Sequence, residues 1–191
     1  MCIRDRAHVV RRKFSVDEYH RLAQAGILRE DDRVELIDGE ILEMSPIGTR
    51  HAGAVNRIRY HLTPVEASGK ALVSVQNPVR LGDFAEPQPD IALLRPRPDF
   101  YAREHPGPED VLLVVEVAET SPDYDRQVKV PLYARWGIAE AWLVDLPQDR
   151  IEVYRNPGPD GYRELRVVGR GERLAPSLLP EFELSVQDIL G

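Results

Sequence analysis

Three ionisable residues interrupt apolar surroundings in this chain and could do chemistry together. Asp90 follows Pro89 and opens a hydrophobic stretch. Glu116 stands in the middle of VLLVVEVAE. Lys129 precedes Leu132, Tyr133 and Trp136 at i+3, i+4 and i+7, the inward side of a helix. A carboxylate at the centre of a buried strand is costly unless it is paired or holds a metal. Two such carboxylates on adjacent strands repel each other unless a cation lies between them. Magnesium or manganese suits the arrangement, because both take carboxylates, carbonyls and waters as ligands. Such an ion lowers the pKa of a coordinated water and stabilises charge on a phosphoryl oxygen.

Chain geometry brings Lys129 to the same place. From Glu116 to Ser121 the chain advances roughly 16 Å at strand rise. A helix then returns for about eight residues, roughly 12 Å at helical rise. Across a sheet-to-helix gap of about 10 Å, a lysine and a glutamate can meet. A simpler reading stays open, in which Glu116 and Lys129 form a buried ion pair without catalysis. Pro-Asp is also common in turns, where Asp90 would be structural. His51 shares a helix face with Val55, Ile58 and Leu62. It is either a hydrogen-bonded core histidine or, near a helix start, a contact for a water of the ion or a phosphate. Glu35 and Glu40 flank Asp38-Gly39, where hairpin acids are solvated. Arg50, Arg57, Arg59, Arg95, Arg97 and Arg103 could position a phosphate backbone, or be ordinary surface.

The elements that must hold these residues follow from periodicity and breakers. Phe14 to Ala25 predicts an amphipathic helix with Ser15 as N-cap and Gly26 as stop. Arg33 to Leu36 and Glu40 to Met44 flank Asp38-Gly39, a two-residue hairpin signal. Val55, Ile58, Leu62 and Val65 predict a helix over 49–66, ended by Gly69. Strands are expected at 72–81, 90–94, 111–119 and 139–144, with a long Pro-rich loop over 95–110. Ser121-Pro122 reads as an N-cap and first helical position. The helix runs to about Trp136, and Pro131 should kink or split it. A meander (150–154, 162–168), a short strand and a terminal helical turn close the chain. The expected fold is α/β: a mixed sheet flanked by helices, with an N-terminal β-hairpin and a C-terminal β addition.

Composition bounds the rest. The 191 residues suit a single domain, expected over 7–191, with MCIRDR (1–6) read as a non-native scar. Hydrophobic residues at 42% and charged residues at 30% exclude a disordered or collagen-like chain. No apolar run approaches a membrane span, and the N-terminus lacks a secretory apolar stretch. Cys2 is the single cysteine, which excludes an intramolecular disulfide and a thiolate zinc site. A reducing, cytoplasmic setting is expected. The net charge of −7 weighs against a dedicated tight nucleic-acid binder, although a local basic strip would suffice. There is no Gly-rich phosphate loop, nucleophile elbow or paired-histidine zinc motif.

Against this background the chain resembles the PD-(D/E)XK nuclease superfamily, and within it a widespread bacterial family of restriction endonuclease-like proteins. The resemblance rests on VELIDGEILEMSP (34–46), His51, PDIALL (89–94), VVEV (114–117), and the stretch from Asp125 through Lys129, Tyr133 and Gly137 to Asp145. It covers about residues 14–155. It implies a restriction endonuclease-like fold and a metal-dependent endonuclease acting on nucleic acid, with DNA expected. Asp90, Glu116 and the Val117 carbonyl would hold Mg²⁺ or Mn²⁺. The usual motif lysine two residues after the acid is replaced by Ala118, so Lys129 would take its part and His51 would assist, and the resemblance also implies an outer role around the ion for Glu35. Cutting both strands of a duplex would favour a homodimer. The alternative is a nuclease-fold module without turnover that binds nucleic acid or regulates.

Overall fold

The computed structural model describes residues 11–29, 31–120 and 122–191; the 1–6 segment with Cys2, and Ser121 as N-cap, lie outside them. The first helix, α1 (Val16–Gln24), starts as its sequence predicts. Ser15 accepts from the Glu18 backbone N–H, and the Glu18 carboxylate accepts from the Ser15 N–H. That reciprocal cap satisfies two donors that would otherwise be orphaned. Ser15→Ala is expected to cost about 1 kcal/mol, read as a lower denaturant midpoint at unchanged slope.

The hairpin joins β1 (Val34–Ile37) to β2 (Glu40–Glu43). Asp38 and Gly39 both have positive φ (49° and 83°), as a tight two-residue turn requires. At Gly39 a Cβ would also lie 2.6 Å from Lys13 Cβ, so only glycine fits. All four β1 residues are buried, Glu35 among them. Helix α2 (Thr49–Ala67) follows, burying Ala54, Val55, Ile58, Leu62 and Val65 on one stripe.

The main sheet has six strands in order β3-β4-β5-β6-β7-β8: β3 (Leu72–Val75), β4 (Ile91–Leu94), β5 (Val111–Ala118), β6 (Glu140–Asp145), β7 (Arg150–Gly158) and β8 (Gly161–Gly169). Every neighbouring pair is antiparallel except β5 with β6. A parallel pair needs a crossover, and the helical segment 122–135 supplies it. Three short pieces make up that segment: α3 (Pro122–Tyr124), a π-helical turn (Asp125–Lys129) and α4 (Val130–Arg135). In the wide turn the Val130 N–H reaches back to the Asp125 carbonyl. Pro131 accounts for the split, since it offers no N–H and its ring crowds the preceding turn.

The two sheet faces bury different clusters. Ile91, Leu93, Leu113, Val115, Val117, Trp142 and Val144 pack under α2. The small C-terminal unit joins that side: β9 (Arg173–Leu174) pairs with β10 (Leu184–Ser185), and α5 (Val186–Leu190) follows. On the opposite face Ala92, Leu94, Val114, Ala118, Ala141 and Leu143 meet Val130, Leu132 and Tyr133 of α4. Strand side chains alternate between faces, so Glu116, between Val115 and Val117, points to the α4 side.

Three sequence expectations need correction. The strand expected over 72–81 ends at Val75, because Gln76 takes φ 51° and the Asn77-Pro78 pair cannot continue the ladder. Asp90 precedes β4 instead of opening it, being held by its own side-chain contacts. Trp136 is not inward: the helix ends at Arg135, so the i+7 spacing no longer applies, and the ring is 42% exposed, lying over Gly82.

Candidate metal centre

Asp90, Glu116, Val117, Lys129 and His51 all line one cavity of about 570 Å³. The structure therefore brings together every predicted site residue, from a loop, a central strand, a π turn and a helix start.

The geometry begins at the end of a β-ladder. Pairing of β4 with β5 stops at Ile91 opposite Val115. Past that point the Val117 N–H donates to Asp90 Oδ2 at 2.9 Å instead of to a strand. The Ala118 carbonyl accepts from Leu146 on the β6 side. Backbone groups alternate along a strand, so the Val117 carbonyl faces the gap beside Asp90. Asp90 Oδ2 also accepts from His51 Nε2 at 3.0 Å, and Oδ1 from Gln76 Nε2 at 3.1 Å. Burial works against the ionised Asp90, but His51, the Val117 N–H and Lys129 outweigh it and hold its pKa below the usual carboxylate value. Asp90 is therefore ionised at neutral pH.

Glu116 is in the opposite condition. Burial pushes its pKa up to about 8 against the pull of Lys129, and Asp125, Asp90 and Glu35 push in the same direction. Lys129 Nζ lies 2.8 Å from Glu116 Oε1, 3.3 Å from Glu35 Oε2 and 3.5 Å from the Gln88 carbonyl. Burial disfavours that ammonium, yet Glu116, Glu35 and Asp125 keep it charged. Tyr133 donates its hydroxyl to the same Oε1. Both contacts fall on one oxygen, and among the described residues Oε2 receives no protein hydrogen bond.

His51 settles between the two readings of its sequence position. It is partly buried on α2 and hydrogen-bonded, yet its partner is the candidate ligand Asp90. Its backbone N–H also donates to Glu119 at 3.1 Å. Because Asp90 is ionised, Nε2 carries the proton, which leaves Nδ1 buried and unpartnered.

Several cavity residues were not singled out in the sequence. Asp125 lines it with its pKa raised to about 6, first by burial. Its spacing of four from Lys129 was the available signal. Gln88, in the Pro-rich EPQP, offers no pattern at all. Glu35 proves to be buried against Lys129, whereas Glu40 is exposed and pairs with Arg11. Of the two readings left open for the six arginines, the partners of three favour ordinary surface: Arg57 caps Ile189 and Leu190, Arg97 is clamped by Asp99 and Glu104, and Arg95 binds the Glu109 carbonyl. None of the six lines the cavity, but Arg33 does.

Tyr133→Phe removes one of two donors from Glu116 Oε1 and is expected to destabilise the domain by about 1–2 kcal/mol. Chemical denaturation at neutral pH reads it, and no loss would mean that the hydroxyl contact carries no weight.

Comparison with known proteins agrees with this architecture. No curated protein matches the chain. A solved structure, described as a putative nuclease belonging to DUF820 from Anabaena variabilis ATCC 29413, superposes with a TM-score of 0.72. The match covers 93% of this chain and 97% of that one, at 18% identity, and so speaks for the fold. Residues 16–187 match the Uma2 family, whose description is "Putative restriction endonuclease". With that match spanning almost the whole domain, the chain belongs to the Uma2 family of restriction endonuclease-like proteins.

Proposed function

We propose that this protein is a divalent-metal-dependent nuclease that hydrolyses phosphodiester bonds in nucleic acid, with DNA the first substrate to test. The observation that carries the reading is the charge balance of the cavity. Among the described residues six carboxylic acids, Glu35, Glu43, Asp90, Glu116, Glu119 and Asp125, line it together with two fixed cations, Lys129 and Arg33. That imbalance is what a cation relieves. Asp90, Glu116 and the Val117 carbonyl form an all-oxygen donor set, which fits Mg²⁺ or Mn²⁺. Bound there, the ion would supply Lewis-acid stabilisation of phosphoryl charge and activation of water.

The chain's own residues would do the remaining work. His51 donates to Asp90 and fixes the carboxylate that faces the ion. Glu35 and Glu116 hold the Lys129 ammonium in place, and with Glu116 turned to an ion that ammonium would be released toward the developing phosphoryl charge. Arg33, at the cavity wall, would contact a flanking phosphate. A homodimer would present one such cavity to each strand of a duplex.

A second reading is favoured by one observation. All three protons of Lys129 already face acceptors within the protein: Glu116, Glu35 and the Gln88 carbonyl. That saturation suits a fold that binds nucleic acid or regulates without turnover. Incubation of supercoiled plasmid with the protein, with Mg²⁺, Mn²⁺ or EDTA, separates the two. Metal-dependent nicking is expected. Plasmid binding without nicking under any metal would move the assignment to the second reading.

A further inference from the structure

His20 of α1, Glu86 of the loop before β4 and His105 of the Pro-rich loop converge outside the cavity just described. Their ligand atoms all lie within 4.8 Å of one another, and none of the three residues lines the Asp90 cavity. His20 Nε2 is 2.7 Å from Glu86 Oε1. The His105 ring stands edge-on to His20, with centroids 6.1 Å apart. Glu86 is only 2% exposed, and its second oxygen, Oε2, is buried without a hydrogen-bond partner. A buried carboxylate oxygen left without donor or cation is a substantial cost.

We propose that His20, Glu86 and His105 form a second divalent-metal site, of the borderline transition-metal class, with zinc the fitting ion. The ligand chemistry separates it from the first site. Two imidazoles and a carboxylate suit Zn²⁺, Co²⁺ or Ni²⁺, whereas Mg²⁺ prefers oxygen throughout. Zinc is held by two histidines and a glutamate plus a water in other proteins. With bonds of about 2.0–2.1 Å, tetrahedral ligand atoms sit roughly 3.3 Å apart. The His20–Glu86 contact is shorter because a shared hydrogen stands where the cation would go. His20 is partly exposed and His105 exposed, so both rings have room to adjust.

The position gives such an ion a consequence. Glu86 begins the run Glu86-Pro87-Gln88-Pro89-Asp90, whose two prolines limit its freedom. Gln88 accepts from Lys129, and Asp90 is the candidate ligand. An ion on Glu86 would tie this run to α1 and to the 95–110 loop, and so hold Asp90 in register from outside the cavity.

The test uses metal-free protein lacking a histidine tag, carrying Asp90→Asn so that the first cavity is impaired, with Co²⁺ as a spectroscopic probe. One equivalent of Co²⁺ is expected to give visible absorption typical of a nitrogen–oxygen site, displaced by Zn²⁺. His20→Ala and His105→Ala, each changing a side chain with solvent access, should weaken that signal at least ~10-fold. Zn²⁺ should raise the melting temperature of the Asp90→Asn protein and not of the same protein with His105→Ala added. A signal unchanged by either histidine substitution, or absent once Asp90 is replaced, would overturn the proposal. Protein that binds Co²⁺ here but never nicks plasmid keeps this site and loses the nuclease reading, so the two fail separately.

Discussion

Asp90→Asn is expected to slow Mg²⁺-dependent nicking of supercoiled plasmid by about 10²–10³-fold, the scale of losing one group that stabilises the transition state. The substitution keeps shape and removes charge. The new amide could still accept from the Val117 N–H and His51 Nε2 through its carbonyl oxygen, and could offer its NH₂ to Gln76 after that side chain flips. The fold should therefore survive, which circular dichroism and a thermal scan would verify on the same sample. What disappears is an ionised oxygen pair beside the Val117 carbonyl. Asp90 is the acid to change because its pKa is held low, while Glu116 is held high, so on the proposed reading Asp90 would bring the charge that first attracts an ion. A variant that nicks plasmid at the wild-type rate would remove Asp90 from the reaction and point to a contaminating nuclease.

Lys129→Met carries the largest expected effect on stability. Among the described residues it deletes the only lysine facing Glu116 and Glu35, and both acids are buried. Breaking a buried ion pair by removing one partner costs about 3–5 kcal/mol, because each acid left behind must either stay charged in a medium that cannot solvate it or take up a proton. For a domain of this size that is a fall in melting temperature on the order of 6–20 °C. A cation can take the place of the ammonium, so millimolar Mn²⁺ should raise the melting temperature of the variant more than that of the wild type. The double variant Glu116→Gln with Lys129→Met should recover much of the loss, since an uncharged pair need not be compensated. Equal melting of wild type and Lys129→Met, with and without Mn²⁺, would show that the cavity's charge balance does not govern its stability.

These expectations rest on features of unequal legibility. Glu116 was visible because eight buried residues in a row contain a single acid, and a buried acid demands a partner. Pro131 announced a broken helix, and the break is there, though as a π turn that the residue pattern does not distinguish from a kink. The Asp38-Gly39 turn was legible from two residues alone. By contrast, the strand expected to reach Leu81 stops at Val75: apolar composition continues, but Gln76 is drawn to Asp90 by two hydrogen bonds that no local pattern encodes. The arginines stayed ambiguous for a related reason. Charge type is readable in sequence, while the acceptors that occupy Arg57 are carbonyls more than a hundred residues away.

The amino-acid order by itself determined the local terms of this protein: where helices start and stop, which strand is buried on both faces, and which acids and lysine are out of place in apolar runs. It could do so because capping, turn geometry and side-chain alternation act over a few residues. Only the tertiary structure decided the partners. That Glu35 and Asp125 crowd Lys129, that the Val117 carbonyl opens beside Asp90, and that His20, Glu86 and His105 meet at all depend on which elements lie across from one another. That choice is made by packing across the whole sheet, which brings together residues whose separation along the chain carries no signal.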